Sequence, residues 1–162
     1  MGLICDYFIA DGDAAARATA SWPLGPGRAP ATKGGRFRKK APEATAPFPS
    51  FEFPGIEPVV MLATLEEELT GTSADDVLHL NASAQVGSNG SVMVFRVRPQ
   101  LVDALAAASE ARLTEVASPW SQTEEFFGTG DPGVLASGLA GLAGLARQAT
   151  ESGQDVYCWM SP

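Results

Sequence analysis

The chain has 162 residues, of which 45% are hydrophobic and 19% charged, with a net charge of −8. That is long enough for one domain of ordinary size with a real core, and too apolar for a wholly disordered chain. The longest strongly apolar run, residues 134–146, is interrupted by three glycines and a serine and falls short of the roughly 20 residues a bilayer span needs.

The opening Met1-Gly2-Leu3-Ile4-Cys5-Asp6 has no cationic stretch before its apolar residues, and Asp6 stands where a myristoylation signal wants Ser or Thr. We therefore expect a cytoplasmic protein that makes no use of a membrane. Cys5 and Cys158 lie near opposite ends, each in an apolar segment, and would be close only if those segments are neighbouring strands. In a reducing compartment they are expected as thiols rather than a disulfide. One histidine, His79, and no Cys-x-x-Cys give no basis for zinc, and no cofactor is expected.

In chain order, residues 3–10 are rich in Ile, Tyr and Phe and read as a strand with Asp6 near one face. Asp11 or Asp13 can cap a short alanine-rich helix over 14–20, ending before Trp22-Pro23. From about 22 to 57 the character changes: most of the twelve prolines lie there, with Gly34-Gly35 and a basic run, so this stretch is a long loop. Phe48, Phe51 and Phe53 are expected to pin its second half to the core.

Pro58 suits a first helical turn, and Val59, Leu62, Leu65 and Leu69 recur at helical spacing, with Gly71 as C-terminal cap and Glu66, Glu67 and Glu68 facing solvent. Residues 77–80 are either extended or helical. Asn89-Gly90 is a turn before the clearest strand, 92–98. Pro99 opens a helix with Leu101, Leu105 and Ala108 inward; a second, from about 110 to 117, is stopped by Ser118-Pro119; residues 120–127 form a helical turn or two with aromatics inward. Asp131-Pro132 starts the last long helix, whose stripe Leu135, Leu139, Leu142, Ala146 and Ala149 faces the core, and residues 155–160 return as a strand after Gly153. The order predicts one α+β domain over 1–162: a small mixed or antiparallel sheet including both terminal segments, packed by about four helices.

Several landmarks taken together resemble the YfbM-like family of small bacterial proteins of unknown function. They are the opening Met1-Gly2-Leu3-Ile4 with Tyr7-Phe8, the helix end Leu69-Thr70-Gly71-Thr72-Ser73-Ala74, the strand-to-helix segment 97–105 and the helix–Gly–strand exit over 142–160. The Pro-rich stretch 22–50 has no counterpart in that pattern, and Val59-Val60-Met61-Leu62 stands where the family often has a tryptophan. The resemblance implies an α+β fold and carries no catalytic or binding residue.

No grouping in the chain announces a reaction. Adjacent carboxylates in Glu66-Glu67-Glu68 and Glu124-Glu125 point about 100° apart on a helix, so neither run is an acid–base pair. Val86-Gly87-Ser88-Asn89-Gly90 misplaces the glycines of a nucleophile elbow. Gly138, Gly141 and Gly144 lie inside a helix, where they let another element approach closely, rather than at a strand–helix junction that cradles phosphate.

Charge is segregated: residues 1–40 carry 7 basic and 3 acidic groups, net +4, and residues 41–162 carry 4 and 16, net −12. Lys33, Arg36, Phe37, Arg38, Lys39 and Lys40 make the basic run, a candidate contact for an acidic protein or a second copy; the acidic body opposes nucleic acid. The first expectation is thus a non-enzymatic acidic interaction protein. The alternatives are an enzyme or small-molecule binder whose pocket collects Tyr7, His79, Trp120 and Glu124, and nucleic-acid binding through residues 33–40.

Overall fold

The structure, a computed structural model, describes residues 2–28, 47–81 and 84–162. The basic run 33–40 lies outside them. Five strands, β1 (Ile4–Ala10), β2 (Ser50–Glu52), β3 (Gln85–Asn89), β4 (Val92–Arg96) and β5 (Asp155–Ser161), form one antiparallel sheet in the order β2-β1-β5-β4-β3. The two terminal segments therefore pair with each other, as expected, in a full-length ladder from Ile4↔Ser161 to Ala10↔Asp155. Cys5 and Cys158 are buried, free thiols on these neighbouring strands. Burial, with Cys5 alongside, pushes the Cys158 thiol well above its ordinary range.

Strand alternation sends Cys5, Tyr7, Ile9, Val156, Cys158 and Met160 to one face, where they meet α2 (Val60–Thr70), α4 (Pro99–Ala107), α5 (Glu110–Trp120) and α6 (Pro132–Ser152) in the main core. Asp131 caps α6 by accepting from the backbone N–H groups of Gly133 and Val134, and the predicted stripe from Leu135 to Ala149 is buried. The α6 glycines work unequally. A Cβ at Gly138 or Gly141 would collide with the rings of Phe53 and Phe51 respectively, whereas one at Gly144 would meet nothing within 4 Å. Phe51 and Phe53 thus pin the β2 segment to α6 by occupying the room two missing side chains leave.

The other face presents Phe8, Ala10, Val94, Tyr157 and Trp159 to a smaller cluster under α1 (Asp13–Ala18), a 3-10 turn over Thr19–Ser21 and the half-buried Phe48. Phe48 stacks at 5.5 Å on both Phe8 and Trp22. Expectation and structure differ in detail here. Neither aspartate caps α1, which has no side-chain cap. Both carboxylates accept from the β5 region instead, Asp11 from Gln154 and Asp13 from the Tyr157 hydroxyl at 2.8 Å.

Three further expectations are corrected, and one open alternative is resolved. Glu66 does not face solvent: it is 1% exposed and holds Arg98, whose Nε lies 3.0 Å from Oε2, in a shielded ion pair. Residues 77–80 belong to a helix, α3 (Ala74–Leu80), capped by Ser73. Pro119 does not stop α5, which runs on to Trp120; the missing N–H falls in the last turn, where little helix remains to be broken. Val60 rather than Pro58 begins α2, and the Glu57 carboxylate accepts from the otherwise unpaired N–H groups of Val59, Val60 and Met61.

Candidate functional site

The four side chains expected to share a pocket do not meet. Tyr7 is fully buried beneath the helices, its hydroxyl donating to the Ile56 carbonyl at 2.8 Å, and burial raises its pKa well above the ordinary value. Trp120 is fully buried in the same core and donates from Nε1 to the Met61 carbonyl at 3.1 Å. Both polar ends are consumed by backbone, so they act as satisfied core aromatics. His79 lies exposed on α3, its Nδ1 2.6 Å from the Asp75 carbonyl, and Glu124 is exposed at the start of a 3-10 turn over Glu124–Phe126. Among the described residues, no three His, Cys, Asp or Glu side chains gather into a metal-binding group, and no helix is long and apolar enough to cross a membrane.

Three of the cavities among the described residues hold most of the candidate chemistry. One, about 370 Å³, lies beside β4 and contains Asp13, Arg96 and Arg98. Arg96 pairs through a terminal nitrogen with Asp155 at 2.9 Å and Arg98 is held by Glu66, while the shielded Arg96 Nε has no hydrogen-bond partner. The Asp155 hydrogen bond raises the Arg96 pKa further.

The second, about 370 Å³, is a mostly apolar groove between the segment after β2 and the start of α6. Buried Phe53, Ile56, Met61 and Leu135 form its floor, and Phe127 and Val134 stand at its edge, 89% and 66% exposed. Phe127 is the only non-glycine residue with positive φ among those described, at φ 51° and ψ 31°, and ends the 3-10 turn. Residues 120–127 were expected to turn all aromatics inward; Trp120 and Phe126 do so, with rings 5.1 Å apart, while the left-handed backbone swings Phe127 out. The signal was present in Phe127-Gly128-Thr129-Gly130, a glycine-spaced run suited to positive φ. Glu125 also lines the groove, and its Oε2 is shielded from solvent with no hydrogen-bond partner.

The third cavity, about 380 Å³, opens on the face of the sheet opposite the main core. Its centre is Asp6, which pairs across the ladder with Glu52 on one side and Trp159 on the other, placing all three on one face. The Gly27 backbone and the Ser50 side chain favour the ionised form of the Asp6 carboxylate. Burial, reinforced by the Glu52 charge, outweighs both and raises its pKa to about 6. Gly25 and Gly27 allow the loop to press this close: a Cβ on Gly25 would stand 3.2 Å from the Asp6 carboxylate. Sequence reasoning placed Asp6 on a strand face but could not see a cavity assembled from segments so distant along the chain.

Comparison with protein-family models, with curated proteins and with solved structures gives no match.

Proposed function

We propose that this protein is a non-enzymatic interaction protein that docks a partner segment carrying a basic residue among apolar ones, in the groove beside Phe127. The observation that carries the reading is Phe127 itself. A left-handed backbone costs a bulky L-residue roughly 1–2 kcal/mol, and an 89% exposed ring recovers nothing from its own fold. A ring held outward at such a cost beside an apolar groove is the kind of aromatic anchor that dominates protein interfaces. Charge adds to the match: Glu125 lines the groove, and residues 41–162 carry net −12, which favours a basic partner. Membership of the YfbM-like family and a cytoplasmic location stay attached to this reading as proposals resting on the residue pattern and composition.

Phe127→Asn separates docking from folding, because asparagine tolerates the left-handed region. The variant should be as stable as the wild type or up to about 1 kcal/mol more so. Binding of a labelled synthetic peptide of alternating leucine and arginine, followed by fluorescence anisotropy, should weaken about thirtyfold, the effect of losing an anchor of roughly 2 kcal/mol. Wild-type binding should also weaken as salt rises. Equal binding by the two proteins, or none by the wild type at millimolar peptide, would remove the groove as the docking site. Substituting Arg36, Arg38, Lys39 and Lys40 by Ser should leave the peptide affinity unchanged. A loss there would move recognition to the basic run.

A further inference from the structure

The cavity around Asp6 is separate from the Phe127 groove, and nothing in the docking reading uses it. Its chemistry is divided. Asp6 and Glu52, directly opposite each other on β1 and β2, supply two carboxylates on one side. Arg28 supplies a guanidinium in the same lining, and the exposed side chains of Ile4 and Leu24 an apolar wall. A simple cation would satisfy the acids and be repelled by Arg28; a simple anion would meet the reverse. A molecule with both charges carried by substituents of one carbon, plus an apolar group, answers all three parts.

Size and covering narrow the class. About 380 Å³ lies near the lower end of small-molecule sites, which suits a metabolite of a few heavy atoms. A sugar would want an open aromatic face, but the Gly25 backbone lies against the indole of Trp159: a Cβ there would be 3.7 Å from Cε3. A metal ion would want more than two carboxylates and no guanidinium beside them. We propose that this cavity binds a free α-amino acid with an apolar side chain, its ammonium group between Asp6 and Glu52, its carboxylate on Arg28 and its side chain against Ile4 and Leu24.

Such binding is coupled to protons. Among the described residues, the groups facing Asp6 are Glu52 from β2, which favours the protonated acid, and the Gly27 backbone and Ser50 side chain, which favour the carboxylate; Arg28 lines the same cavity, and Trp159 from β5 is uncharged. An ammonium ligand selects the carboxylate and so expels the proton. With the Asp6 pKa at about 6, its ionised fraction rises about tenfold between pH 5 and pH 7, and affinity should rise with it.

Titration calorimetry with L-leucine, run at pH 5 and pH 7 in buffers of different ionisation enthalpy, tests this. The expected result is binding that is about tenfold tighter at pH 7, with proton release at pH 6. Glu52→Gln, at an exposed position where no change of fold is expected, should weaken it at least tenfold, as should Arg28→Gln. Asp6→Asn should abolish the proton release while circular dichroism confirms the fold. No heat from L-leucine at millimolar concentration at pH 7 would overturn the proposal. Butylamine binding as tightly as L-leucine would overturn the zwitterion class, as would methyl glucoside binding in its place. Affinity unchanged in Glu52→Gln and Arg28→Gln would overturn the assignment of groups.

Discussion

The two faces of the sheet are closed by different means. One is covered by four helices whose side chains interlock with β1, β4 and β5, and its core is continuous from Cys5 to Ala149. The other is covered by the six-residue α1, a 3-10 turn and the glycine-bearing segment around Gly25 and Gly27. A helix satisfies its own backbone and can settle until its side chains touch; a loop must find partners for its N–H and carbonyl groups where it lies. The loop side accordingly keeps a half-buried carboxylate, Asp6, in the lining of a cavity. The helix side, where Tyr7 and Trp120 spend their polar ends on carbonyls, is the part built for stability, and the loop side retains polar groups a ligand can use.

The largest expected effect breaks the helix side. Leu139→Asp places an unpaired charge at a fully buried position of α6, at a cost of several kcal/mol, comparable with the whole stability of such a domain. Glu67→Ala, at an exposed position of α2 where only a hydrogen bond from the Ala74 N–H is lost, should cost about 1 kcal/mol. Similar melting temperatures for the two would dismantle the helix-side core.

Next comes the glycine seam. Gly141→Ala forces a methyl group into the Phe51 ring and should cost about 1–3 kcal/mol by overpacking. Gly144→Ala meets nothing and should stabilise α6 by about 0.5–1 kcal/mol, so urea midpoints should move in opposite directions. Midpoints moving together would mean that β2 does not press on α6.

The last effect belongs to the loop side and appears only with pH. Asp6 has its folded-state pKa raised from 3.8 to about 6, so its proton is held more tightly folded than unfolded. The sign follows: its favourable contribution is complete below about 3.8 and is lost as pH rises through about 6. Wild type should therefore lose stability relative to Asp6→Asn across that window, and thermal melts of the two at several pH values should diverge. Parallel curves would show that Asp6 is solvated and the loop cover open.

Much of the architecture was legible because its signals are local or periodic. The α6 stripe follows from 4-3-4-3 spacing, its start from Asp131-Pro132, and the pairing of β1 with β5 from two apolar terminal segments that each need a partner. What was missed depends on neighbours remote in the chain. Glu66 reads as one of three solvated glutamates until Arg98, 32 residues away, arrives to hold it. Phe127 reads as another inward aromatic until a positive φ turns it over, and the Asp6 cavity exists only once segments near 4, 25, 50 and 159 are assembled.

The pairing of Ile4 with Ser161 also has a consequence in time. On the ribosome β1 is made first, yet its long partner β5 emerges last, and β5 is also what joins β1 to β4. Without β5 the remaining strands have only the pairings β2-β1 and β3-β4, and the edges that β5 covers are open. Closing a loop of that length slows folding, and open edges of this kind recruit strands from other chains. The unfinished chain, rather than the folded one, is therefore the form most exposed to aggregation, and it is the form a chaperone would have to shelter.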